Sequence, residues 1–180
     1  RFTFPADRGT GRILIELHPE TEYGIQLKNV SVKRVGERRI EGSCHQFSPG
    51  VWSHDADQDY VLHFVVEFDR PILRVGSWKD DVVANDIREL SSGPCKYAGL
   101  FVEFDPVRNP VVQVRSGISL VSVENAAQNL AAEVTEPFGW DFEAVREATR
   151  RAWNGELSKI RIETADPAVR RIFYTALYHT

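Results

Sequence analysis

Apolar and polar residues alternate over short segments through the first 120 or so positions, and the period changes after that. The segments RILIEL (12–17), IQLKNVSVKRV (25–35), RRIEGS (38–43), YVLHFVVEF (60–68), ILRVGSW (72–78), YAGLFVEF (97–104) and VVQVRSGISL (111–120) are rich in β-branched and aromatic residues. Turn residues separate them, which is the signature of strands. Alternation is clearest at 60–68. Tyr60, Leu62, Phe64, Val66 and Phe68 share one face, and His63 and Glu67 share the other with Val61 and Val65. That second face is therefore half-apolar. Many short strands with no helix between them predict antiparallel sheets packed as a sandwich.

At Ser122 the period becomes 3.6. Ser122 can cap VENAAQNLAAEV, where Val123, Ala126, Ala127, Leu130, Ala131 and Val134 form one stripe, and TEPFGW is expected to break that helix. Asp141 can cap a second helix, FEAVREATRRAWNGEL, with Phe142, Val145, Ala148, Ala152 and Trp153 on one face. KIRIET (159–164) alternates again and predicts a short returning strand. Asp166-Pro167 then supplies an N-cap oxygen and a proline suited to the first helical position. Val169, Ile172, Phe173, Ala176 and Leu177 follow as a stripe, widened by Tyr174, Tyr178 and His179. So broad an apolar face on the last helix leads to the expectation that the chain is a piece of a longer protein. The absence of any methionine agrees with this.

Composition adds limits. With 42% hydrophobic and 27% charged residues and a net charge of −4, the chain has the balance of an ordinary globular protein. Lys and Arg are interspersed with acids, which argues against a nucleic-acid surface. No apolar run approaches the roughly 18 residues of a membrane span. Cys44 and Cys95 lie too far apart for a C-x-x-C metal motif; two free thiols are expected, with one disulfide as the alternative.

Candidate chemistry is sparse. HDADQDY (54–60) spaces carboxylates like a calcium loop, but counting from Asp55 puts Tyr60 and Val66 where an EF-hand needs Gly and Glu. A solvated turn is the plainer reading. His45 and His54 could share a metal with these acids, without any spacing that requires it. The stretch 79–96 is the longest irregular segment, and Trp78 beside Lys79, Asp80 and Asp81 offers an aromatic platform for a sugar or an interface. The competing reading is that Trp78 caps the sandwich core. No Ser/His/Asp motif, P-loop or dinucleotide glycine pattern is present.

Four blocks carry a resemblance: YVLHFVVEFDRP, GISLVSVENAAQNLAAEV, WDFEAVREATRRAWNGELSKIRIE and RRIFYTALYHT. In order, spacing and wording the chain resembles glycoside hydrolase family 92, the calcium-dependent exo-acting α-mannosidases, most strongly from Gly117 to Thr180. The resemblance implies a mainly β fold: an antiparallel β-supersandwich of the galactose mutarotase type, two linker helices, and the start of an all-α (α/α)6 barrel. The implied domains are 1–121, a sandwich incomplete at its N-terminus; 122–158, linker helices; and 159–180, a returning strand and the first barrel helix. The implied chemistry is inverting hydrolysis of terminal α-mannosides of mannose-rich N-glycans, with carboxyls about 6.5–9.5 Å apart. The acid, the base and the calcium ligands are expected beyond residue 180, so no catalytic or metal residue is assigned. Trp52 and Trp78 are the candidates for substrate contact. The implied partners are mannose-containing glycans and the missing barrel domain. The implied location is secreted, periplasmic or cell-surface. Two alternatives remain: a non-catalytic carbohydrate-binding sandwich, or another sandwich-plus-(α/α)6 glycosidase or phosphorylase.

Overall fold

The computed structural model of the chain describes residues 1–5, 7, 9–18, 24–50 and 56–179. Its first unit, Arg1–Trp140, is built on two antiparallel sheets. One holds β2 (Gly11–Glu16), β9 (Ala98–Phe104), β6 (Arg74–Lys79) and β7 (Val82–Ala84), in that order. The other runs β11 (Val114–Ser119), β5 (Gln58–Phe68), β4 (Arg39–Ser48), β3 (Gln26–Val35) and β8 (Glu89–Ser92). A short pair, β1 (Phe2–Thr3) and β10 (Val111–Val112), completes the strands among the described residues.

The inner faces meet in one core. Val30, Val32, Ile40, Phe64 and Phe68 from one sheet pack with Ile13, Val75, Leu100, Val102 and Phe104 from the other. Phe68 and Phe104 bridge the layers with ring centroids 5.2 Å apart. Each large apolar side chain so buried contributes about 1.5–3 kcal/mol. Cys44 is buried and Cys95 half-buried, and both thiols are free. Burial raises the pKa of each, with hydrogen bonds from Gln46 and Ser92 opposing it.

The alternation at 60–68 places Phe64, Val66 and Phe68 in this core, as the pattern implies. The half-apolar second face has its own cover. Helix α1 (Val123–Leu130) lies over it and buries Val65 with Ala126 and Leu130 in a second small cluster. Gly117 on β11 makes the close approach possible. A β-carbon there would collide with the Ala126 carbonyl oxygen and the Leu130 β-carbon.

Three expectations need correction. The stretch 79–96 is not one irregular loop: β7 folds back on β6, and β8 pairs with the edge of β3. Its composition hides both strands, because each pairs along one side and stays largely exposed. TEPFGW does not end the first helix at once. Ser122 caps it by accepting from the Asn125 amide at 3.1 Å, and the chain continues through a π-helical turn, Ala131–Thr135, into α2 (Glu136–Phe138). The wider turn breaks the i to i−4 pattern before Pro137, which has no N–H to give it. Gly139, at φ +57°, stops the helix. Finally, residues 159–164 form no strand. The second unit, Asp141–Thr180, offers helices and connectors among its described residues, so KIRIET finds no ladder there.

That unit contains α3 (Phe142–Leu157) and α4 (Pro167–Tyr178), both capped as the sequence predicts: Asp141 accepts from the Ala144 amide and Asp166 from the Ala168 amide. Trp153 meets Tyr178 at a tilt of 55° with centroids 4.6 Å apart, and the Tyr174 hydroxyl donates to the Ile160 carbonyl at 3.3 Å. No residue of either helix is fully buried, and Ile172 is 70% exposed.

Two measurements test these packing arguments. Gly117→Val should cost about 1–3 kcal/mol through overpacking, seen as a lower thermal midpoint. Gly93→Val, at a site with no atom within 4 Å, should stay within about 0.5 kcal/mol. Hydrogen exchange at low protein concentration should show amides 170–178 exchanging well before those of 60–68, because helices near 12–15 residues are marginal without a packed face.

Candidate functional site

Polar and aromatic groups collect at one end of the sandwich, where β2, β4 and β6 finish and β3, β5 and β9 begin. Inside that end the core gives way to a hydrogen-bonded layer. Tyr60 Oη donates to Gln46 Oε1 at 2.8 Å, and Gln46 Nε2 donates to the Leu17 carbonyl at 3.1 Å. His18 is buried, donates through Nε2 to the Ile25 carbonyl at 2.5 Å, and meets the Tyr97 ring edge-on at 5.9 Å. These bonds satisfy polar groups that would otherwise cost about 1–3 kcal/mol each.

The acids of 54–60 have partners of another kind. Asp57 accepts from the Gly50 amide at 3.1 Å. Asp59 is held between Lys28 Nζ, at 2.5 Å, and His45 Nε2. Its pKa is lowered by the Lys28 hydrogen bond first and the His45 bond second. Lys28, the extra residue where β3 bulges between Leu27 and Asn29, also lies over the Phe47 ring at 4.5 Å. A lysine beside the carboxylate occupies the place a cation would need. Among the described residues, no group of three or more His, Cys, Asp or Glu could hold a metal. The described residues here do not fit calcium. His54 and Trp52 lie outside the described residues.

Trp78 is described, and it is not part of the core. Val75 and Ser77 of β6 point inward and are buried, so Trp78 faces the outer side of the four-stranded sheet. Its ring lies across Gly99 of β9, where a β-carbon would overlap it. Phe101 lies across Gly76 of β6 in the same way. Of the charged neighbours expected beside the indole, Asp80 serves the turn. Asp80, at φ 49°, accepts from the Lys96 and Tyr97 amides at 2.8 and 3.1 Å, and these bonds lower its pKa, Tyr97 first.

Next to Phe101 is an ion cluster that the sequence did not announce. Glu103 is 3% exposed on this outer face. Arg12 reaches it at 2.5 Å and Arg74 at 2.7 Å, and the Arg12 guanidinium also covers the Phe101 ring at 4.5 Å. Burial pushes the Glu103 pKa up, but the two guanidinium bonds outweigh it and the net shift is downward. Alternation in LFVEF puts Glu103 on the polar face; its partners follow from strand order alone, since β9 lies between β2 and β6. At the opposite end of the sandwich, a polar groove of about 540 Å³ is lined by Arg34, Gly36, Asp86, Ile87 and Arg88.

Two family descriptions match the chain in succession. The glycosyl hydrolase family 92 N-terminal domain matches residues 1–119, and the glycosyl hydrolase family 92 catalytic domain matches residues 125–180. The chain belongs to glycosyl hydrolase family 92. Solved structures agree with the fold. The family 92 inverting mannosidase BT2199 from Bacteroides thetaiotaomicron superposes with a TM-score of 0.77 at 20% identity, covering 98% of this chain and 21% of that one. The family 92 glycosyl hydrolase ccman5 gives 0.72 at 25% identity, covering 98% and 22%. The α-mannosidase BT3965 from Bacteroides thetaiotaomicron gives 0.65 at 19% identity, covering 95% and 24%. The chain therefore spans 21–24% of the length of these structures. Comparison with curated proteins gave no match. Within this family 92 chain, the described side chains supply a polar end, an outward indole and a buried ion cluster.

Glu103 yields a prediction with a sign. Its folded pKa is depressed, so ionised Glu103 stabilises the fold above the ordinary Glu range, and that contribution is lost as pH falls through the folded value. Glu103→Gln should cost about 1.5–3 kcal/mol at pH 7, since it removes bonds to charged groups. The difference in thermal midpoint between wild type and variant should shrink on acidification towards pH 3. A difference that is constant with pH would mean that the two arginines do not act on the ionised form.

Proposed function

We propose that this chain is the N-terminal part of an inverting exo-α-mannosidase that removes terminal α-mannose from mannose-rich N-glycans. In this reading residues 1–121 are the accessory sandwich, 122–158 the linker helices, and 159–180 the entry to an (α/α)6 catalytic domain. The carrying observation is the succession of the two family matches, with the catalytic-domain match confined to residues 125–180. The names of solved relatives as mannosidases support the choice of sugar.

The proposed division of labour gives the sandwich no catalytic group. A general acid and a base holding water on opposite faces of the sugar would come from the rest of the barrel. Calcium, held by residues outside this chain, would bind hydroxyls of the terminal mannose. Trp78 is retained as a glycan contact, and Trp52 with it. The apolar side of α4 is expected to face further barrel helices. A glycan-degrading enzyme of this kind acts outside the cytoplasm, in a secreted, periplasmic or cell-surface location.

Activity separates the parts. The purified 180-residue chain should not turn over an aryl α-mannoside, and the full parent should do so in a way abolished by a calcium chelator. Turnover by the chain itself would place catalytic groups within it. Parent activity indifferent to chelation would remove calcium from the scheme. Failure of the parent on every α-mannoside would overturn the choice of substrate.

A further inference from the structure

We infer that the outer face of the four-stranded sheet carries a pyranose-stacking platform formed by Trp78, Gly99 and Glu16. Register places these three in one row across the sheet, because Gly99 of β9 pairs with Glu16 of β2 on one side and Trp78 of β6 on the other. Directly paired residues of an antiparallel sheet point to the same face. With no β-carbon at Gly99, the indole lies down on the backbone towards β2. It is half-buried by that contact, and the row continues to Val83 of β7, which is 62% exposed. Glu16 is exposed at the β2 end of the row, and Leu14, 65% exposed, follows on the same face.

Sugar chemistry suits this arrangement. One face of a pyranose presents C–H groups that stack on an aromatic ring, while its hydroxyls point outward at the edge. A carboxylate beside the ring accepts hydrogen bonds from such hydroxyls, and charged acceptors bind more strongly than neutral ones. The fixed ring loses little freedom on binding, because Gly99 already holds it flat. The apolar area is also limited in extent. Beyond Leu14 and Phe101 the face is closed by Arg12, Glu103 and Arg74, which are committed to one another. One indole with two aliphatic neighbours matches a sugar ring, whereas a protein partner needs about 800 Å² a side. The ligand class rests on the glycan-acting role proposed above; the placement of the platform rests on register and geometry alone.

Native electrophoresis of the 180-residue chain through gels containing soluble α-mannan or soluble β-glucan tests this. Retardation on at least one polymer is expected. Trp78→Ala should weaken it on the order of tenfold or more, as for a central aromatic anchor. Trp78→Ala also removes packing on Gly99, so Glu16→Gln, at an exposed site, serves as a second variant with an intact fold. It should weaken retardation several-fold with an unchanged thermal midpoint. No retardation on either polymer, or equal retardation of wild type and both variants, would overturn the platform. Retardation on β-glucan alone, lost in both variants, would uphold the platform while counting against mannose. The activity of the parent on α-mannosides is read separately, so the two readings fail independently.

Discussion

Helix α1 sits so close to strand β11 that a single side-chain carbon at position 117 would block it, and much of the first unit follows from that approach. Because the helix covers the outside of the five-stranded sheet, β5 must be apolar on both sides. Val65 faces Ala126 and Leu130 under the helix, while Phe64 and Val66 face the sandwich core. The sheet therefore serves two packing layers at once, and a slip of one residue in β5 would damage both. The helix is tied again at its far end. Arg115 of β11 binds Glu67 at 2.7 Å, donates to the Gly139 carbonyl at 3.1 Å and lies over the Trp140 ring at 4.1 Å. The path from sheet to helix is thus held at its beginning by shape and at its end by charge.

Elements with strong periodicity could be read directly from the residues. The long central strands and the three helix caps at Ser122, Asp141 and Asp166 carry their own local evidence, and the structure agrees with it. What escaped was set by neighbours instead. β7 and β8 are short edge strands whose exposed residues look like loop, and they exist because β6 and β3 offer them unpaired backbone groups. KIRIET illustrates the converse: its alternation is that of a strand, yet no strand is found among the described residues of the second unit.

The chemistry was less legible than the fold. The carboxylates of 54–60 drew attention by spacing, but Asp59 is ion-paired with Lys28 and hydrogen-bonded to His45, which come from different strands. Glu103 drew none, since one acid in an alternating strand is unremarkable until strand order sets two arginines beside it. Trp78 was visible as a residue type, and its orientation depended on a glycine 21 positions away that no local pattern connects to it. Family membership came through wording spread over several blocks, which is information about ancestry. The physical roles of the same residues came through register.

The π-helical turn at Ala131–Thr135 gives the chain one residue more than an α-helix would use on the same path. Each helical residue advances the direction of its successors by about 100°. The wider turn absorbs that rotation, so removing one residue here would restore ordinary i to i−4 bonding and leave Gly139 and Trp140 on their present path beside Arg115. The extra residue is thus an insertion taken up inside the helix: one residue can be gained or lost within 131–135 while Ser122 still caps the start of the helical path and Gly139 still stops it.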